Sequence, residues 1–341
     1  MFRKFALVWA IAVLVSGFFG CGEESTPAGS VDEEDRELTT EWNMTLQTSG
    51  VEVTLQEVFF DPSGNHGWAV GNDGVILHTA DKGETWEQQE SGVAGALYSV
   101  CFVNESEGWA VGDSGTVVHS ANGGGDWEVQ NTGITEQLRG VFFANNSQGW
   151  AVGEGGMIIA TKDGGAAWDQ QSSGTNQILE AVDFAPPKPG EVVIERGWAA
   201  GVNGTIVYTS DAGTKWMPQQ SKVPEPLYGV FFASESKGWA VGKKGTVLRT
   251  SNGGISWDRS AAAAARGESL YDVFFVTAAE GWCVGSHGKL LYSLDGRVWE
   301  AVETEVSKEI KTPFWGIAFI SSSEGWAVGD NGVILHIEAV Q

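Results

Sequence analysis

Gly108-Trp109-Ala110-Val111-Gly112 is one of seven near-identical pentapeptides, whose Trp stand at 68, 109, 150, 198, 239, 282 and 326. Their spacing of 41 to 48 residues is that of a propeller blade rather than of a shorter solenoid repeat. Outward from this pentapeptide, Leu97 to Val103 alternates as a strand, and Asn104 to Glu107 reads as a turn. On the other side, Asp113-Ser114 is a tight connection and Gly115 to Ser120 a third strand. Ala121 to Asp126 turns again, and Trp127 opens a fourth strand. The same order recurs along the chain, with no helix-forming windows, so the expected fold is all-β: seven four-stranded blades in one ring.

The third-to-fourth turn carries a second motif, Ser/Thr-x-Asp-x-Gly-x-x-Trp, seen complete from Thr79 to Trp86, Thr161 to Trp168 and Thr209 to Trp216. Its acidic position is occupied by Asp81, Asn122, Asp163, Asp211, Asn252 and Asp295, the last in a copy one residue short. Asp and Asn share a side-chain oxygen that accepts from the turn's own amides, and Gly tolerates the positive φ such turns need. That Asn serves in two copies points to hydrogen bonding rather than catalysis or metal binding.

The seventh unit ends just after its third strand, while a spare outer-strand sequence, Trp42 to Gly50, lies at the other end of the chain. The N-terminal strand is therefore expected to complete the last blade and close the ring, which removes open sheet edges. On this alignment Trp42 takes the position of Trp86, and only Trp9 and Trp315 of the sixteen Trp fall outside two repeat positions.

Before the propeller, expected over residues 42–341, Arg3 and Lys4 precede an apolar run from Phe5 to Phe19, and Gly20-Cys21 follows. Fifteen apolar residues are short for a membrane span, so residues 1–20 read as a cleaved export signal. Cys21 resembles the lipidated cysteine of a bacterial lipobox. Residues 21–41 read as an acidic flexible tether. The expectation is an exported, monomeric protein held at a membrane by a lipid anchor only, at the periplasmic face or cell surface, or otherwise secreted.

A net charge of −24 excludes nucleic acid as a natural partner. Residues 211–270 run against that balance, with eight Lys or Arg and five acids. Lys243, Lys244, Arg266, His287, Lys308 and Lys311 fall on second-to-third turns and inter-blade links, which share one face of a propeller. They form the expected partner-binding patch. Pro186 to Gly190 is an insertion on the opposite face. The five His show no metal-ligand spacing, so neither metal nor cofactor is expected. Sialidase chemistry needs an Arg cluster and a Tyr–Glu pair, but of five Tyr, Tyr98, Tyr228 and Tyr271 share one slot and Tyr208 and Tyr292 another. Such repeat-placed residues read as packing, so no catalytic residue is assigned.

Tandem Gly-Trp-Ala-Val-Gly strands joined to Asp-box turns resemble the photosystem II stability/assembly factor family. The resemblance covers residues 42–341 and implies a non-enzymatic seven-bladed propeller that binds a membrane-protein subunit during assembly, partly through an arginine-rich surface. Here Arg is scarce and the candidate patch is mostly Lys. The alternatives are a surface lipoprotein binding glycan or extracellular polymer, for which exposed aromatics beyond Trp315 would be needed, and a sialidase-like glycoside hydrolase.

Overall fold

The computed structural model describes residues 40–188, 190–191 and 193–340. The expected export signal, Cys21 and residues 22–39 of the expected tether lie outside them. Seven antiparallel four-stranded sheets surround a central axis, each running from an inner strand to a short outer one. In the second blade these are Leu97–Phe102, Gly108–Gly112, Val117–Ser120 and Glu128–Gln130. The last blade consists of Phe314–Ser321, Glu324–Gly329, Ile334–Ala339 and, as its outer strand, Trp42–Gln47. The ring is closed by antiparallel pairing of Trp42 to Gln47 with Ala339 to Ile334.

The pentapeptide is wholly buried because it pairs with the inner and third strands of its own sheet and packs against the next blade's inner strand. Its first glycine admits a Phe ring: a Cβ on Gly108 would sit 2.3 Å from the Phe102 ring. Its Trp lies on the inner-strand Phe of the following blade, as Trp109 does on Phe143 at 3.6 Å and 6°. The indole N–H donates to the next blade's Asp-box backbone, Trp68 to Gly123 O at 3.0 Å and Trp109 to Gly164 O at 3.0 Å. A third contact joins the same pair: Trp127 donates to Gln89 Oε1 at 3.1 Å, and Gln89 Nε2 donates to Gly123 O at 3.3 Å. These bonds satisfy polar atoms that burial would otherwise leave costly.

In the Asp-boxes, Asp81 Oδ1 accepts from Thr79 Oγ1 at 2.7 Å and Thr85 N at 2.9 Å. Asn122 Oδ1 accepts from Asp126 N at 2.9 Å, Asp163 from Ala167 N at 2.9 Å, and Asp211 from Lys215 N at 2.9 Å. Asn252 accepts from Ser256 N at 3.0 Å, and Asp295 in the shortened box from Val298 N at 3.0 Å. The hydrogen bonds from Thr85 and Thr79 hold the Asp81 carboxyl below its ordinary pKa. A lowered folded pKa stabilises above the unfolded value and is lost as pH falls through the folded one. Asp81→Asn should therefore keep the turn and remove this box's share of acid sensitivity. Thr79→Val should cost about 1–3 kcal/mol, since it strips the buried acceptor of Gly83 N, measured as a fall in urea midpoint with the slope unchanged.

Two local expectations are corrected. Trp42 does not occupy the Asp-box Trp position. Gln47 opposes Ile334 as Gln89 opposes Ile76, which puts Met44 in that position and Trp42 two residues outward. Trp42 packs edge-on to Trp282 at 4.7 Å and Tyr292 at 5.5 Å instead. The link between blades six and seven contains a short helix, Glu305–Glu309, whose capping box joins Thr304 and Ser307.

Candidate functional site

Each of the seven inner strands carries a register shift after its first residue, as between Leu97 and Ser99. A bulge re-aims the extra residue away from the sheet. The seven bulged residues are Gln56, Tyr98, Arg139, Glu180, Tyr228, Tyr271 and Trp315, and together they line one pocket of about 150 Å³ at the axis. All seven are half-buried. Tyr98, Tyr228 and Tyr271 are therefore not interior packing residues, as repetition suggested, but the rim of the central channel.

Several are held by the first residue of their own blade's second-to-third turn. Gln56 Nε2 donates to Asn72 Oδ1 at 3.1 Å, Tyr98 OH to Asp113 Oδ1 at 2.9 Å, and Trp315 Nε1 to Asp330 Oδ1 at 2.8 Å. Arg139 lies 3.8 Å from Glu154, 2.8 Å from Gln137 Oε1, and over the Tyr98 ring at 4.6 Å. The channel mouth consequently opens on the face that bears those turns. Trp315 stacks on Tyr271 at 4.2 Å, and Tyr271 adjoins Tyr228 at 5.5 Å, giving a continuous aromatic wall over three blades. Burial pushes the Tyr98 and Tyr228 hydroxyls above their ordinary pKa.

The six expected basic residues are exposed, on the same face, in two groups. The turn Lys243–Gly245 contacts the link turn Ala263–Ala265, which brings Arg266 near Lys243 and Lys244. Lys244 shares Glu225 with Arg259, at 3.5 and 3.2 Å. Among the described residues Lys243 and Arg266 have no carboxylate within ion-pair distance. His287, Lys308 and Lys311 converge on a second pocket of about 130 Å³, joined there by Lys289, which sequence spacing did not single out. Lys308 pairs with Glu305 at 3.0 Å, and Lys311 Nζ donates to the Lys308 carbonyl. Glu268 accepts from Ser286 Oγ at 2.6 Å and meets His287 at 2.8 Å, and these bonds hold its carboxyl below the usual range. Such exposed pairs contribute little stability and leave the charge available to a partner. The blade-four insertion is tied to its neighbour through Lys188 and Arg196, 2.9 and 3.4 Å from Glu235.

Among the described residues, the Tyr–Glu pair close enough for sialidase-type activation is Tyr292 with Glu280, at 2.8 Å. Tyr292 is buried under Trp42 and Trp282, and desolvation with the Glu280 bond drives its pKa up, against the need of a nucleophile. Glu324, His336 and Glu338 bring three ligand-type atoms within 4.8 Å across neighbouring strands, which residue spacing in sequence conceals. Lys82 lies 3.9 Å from Glu324, and the His336–Glu324 pair repeats that of His119 with Glu107 at 2.9 Å, so it follows the blade pattern.

The family model "Photosynthesis system II assembly factor YCF48" matches residues 34–131, 191–251 and 254–340, most of the chain. This chain belongs to the YCF48 family. Among solved structures, "YCF48 bound to D1 peptide" is 22% identical with a TM-score of 0.71, covering 88% of this chain and 95% of that one. YCF48 from Cyanidioschyzon merolae is 20% identical with a TM-score of 0.70, covering 86% and 98%. A xyloglucanase from Xanthomonas campestris is 13% identical with a TM-score of 0.69, covering 86% of this chain and 53% of the enzyme. At these identities the structures attest the propeller fold. No curated protein matches the chain.

Proposed function

We propose that this YCF48-family chain is a non-catalytic assembly factor that holds a segment of a membrane-protein subunit on the face bearing its second-to-third turns. The observation that carries the reading is the convergence on that face of Lys243, Lys244, Arg266, His287, Lys308 and Lys311 in a protein of net charge −24. The D1 peptide bound by a YCF48 of the same fold supports a peptide of a photosystem II subunit as the client. The apolar run before Cys21 supports export and a lipid anchor, which would hold a monomeric propeller beside its client at the membrane.

A tagged full-length chain, crosslinked in native membranes and recovered with its partners, tests this. The expected result is capture of one integral membrane subunit, reduced about tenfold or more by Lys243→Glu with Lys244→Glu, because reversed charges repel what the patch attracts. Equal capture by the double variant would overturn the role of the patch. Retention on envelope polysaccharide with no protein recovered would overturn the assembly reading itself.

A further inference from the structure

Three of the seven bulged residues, Glu180, Tyr228 and Tyr271, have no hydrogen bond or ion pair to their own turn among the described residues, and Glu180 is the one carboxylate of the three. In four blades the bulged side chain faces a polar first residue of its own turn: Asn72, Asp113, Glu154 or Asp330. In blade four that residue is Val202, and the Glu180 carboxylate takes no hydrogen bond among the described residues. Burial raises its pKa, with Arg139 only partly offsetting this. Arg139 is engaged by Gln137 and the Tyr98 ring.

Beside Glu180 stands the aromatic wall of Tyr228, Tyr271 and Trp315. Deeper in the same pocket lie Glu57, Asp183 and Asp272, so four carboxylates face a single guanidinium. Asp183 accepts from Phe232 N at 2.7 Å and Asp272 from Ile317 N at 3.1 Å, which commits those two to joining neighbouring inner strands. A half-buried carboxylate without a donor, next to π faces and in a negative cavity, is complementary to a cation with an apolar stem. The cavity of about 150 Å³ takes one side chain, not a folded element.

We propose that the channel mouth is a receptor for one cationic side chain, a lysine or arginine of the client segment, with its charge at Glu180 and its stem against Tyr228, Tyr271 and Trp315. The site rests on the proposed function only in that the cation belongs to a protein. It complements the lysine patch: the basic turns and links of blades five and six attract acidic groups while the axis selects a basic one, which fixes the register of a bound segment.

Calorimetric titration of the full chain with Nα-acetyl-lysine-N-methylamide, its arginine counterpart and its norleucine counterpart tests the inference. Binding of at least one cationic probe about tenfold or more tighter than norleucine is expected, a difference of about 1.4 kcal/mol. Glu180→Gln should weaken that probe about tenfold. Val202→Lys should abolish its binding with the melting temperature kept, by supplying Glu180 with an ammonium from its own turn, and so covers the case in which Glu180→Gln unfolds. Norleucine binding as well as the cations, or no cation binding at millimolar concentration, would overturn it. Lysine-patch variants that keep both the client and the probe would count against the proposed function alone.

Discussion

A chain that begins after Gln47 is expected to lose its closed ring and most of its stability. The strand Trp42–Gln47 contributes six register pairs to the last blade, buries Trp42 and Met44, and supplies Gln47 Oε1 to the Trp86 indole at 3.1 Å. Losing two buried side chains at about 1.5–3 kcal/mol each, with the pairing, removes about 5 kcal/mol or more, comparable to the whole stability of a domain. The strand Ile334–Ala339 would then present an open edge, which templates association between chains. Urea unfolding should lose its single cooperative transition, and light scattering should rise. A synthetic peptide spanning residues 40–50 should restore the transition in trans. An unchanged midpoint in the shortened chain would refute the closure role.

The blade count was legible because the physical demand recurs: a glycine beside a Phe ring, then an indole between sheets, can be met by few residues, so the pentapeptide repeats almost unaltered. Ring closure was legible from a missing strand at one end and a spare one at the other. The Trp42 position was not, because Trp42 to Gly50 is two residues longer than Trp86 to Gly92, and sequence cannot say on which side the extra residues lie. The channel mouth was hidden for a related reason. A bulge shifts the two-residue alternation by one, and no Gly or Pro marks it in Leu97-Tyr98-Ser99-Val100. Counting along the strand then assigns Tyr98 to packing, whereas the bulge turns it to the axis. The basic residues were found because loop positions tolerate charge and the topology alone fixes their face. What sequence did not supply was their pairing, since Glu225 and Glu268 reach them across links.

Trp109→Ala is expected to cost about 3–5 kcal/mol, in line with other buried Trp truncations. Trp109 is fully buried, and its removal leaves a cavity against Phe143 and His119, 3.6 and 4.8 Å away between ring centres. The Gly164 carbonyl would keep only the Gln130 donor, at 2.8 Å. The informative comparison is between two conservative changes, Trp109→Phe and Trp326→Phe. Both shrink an indole stacked on a Phe ring, Trp326 lying 3.8 Å from Phe60. They differ in the N–H. Trp109 donates to Gly164, whereas Trp326 in the closure blade and Trp282 in the blade before it have buried N–H groups without a partner among the described residues. Trp282 faces the one blade without an Asp-box, because its outer strand comes from the start of the chain. Trp109→Phe should therefore be worse than Trp326→Phe by about 1 kcal/mol, the net worth of one hydrogen bond. Equal losses in urea unfolding would mean that stacking alone holds neighbouring blades together and that the indole bonds add nothing.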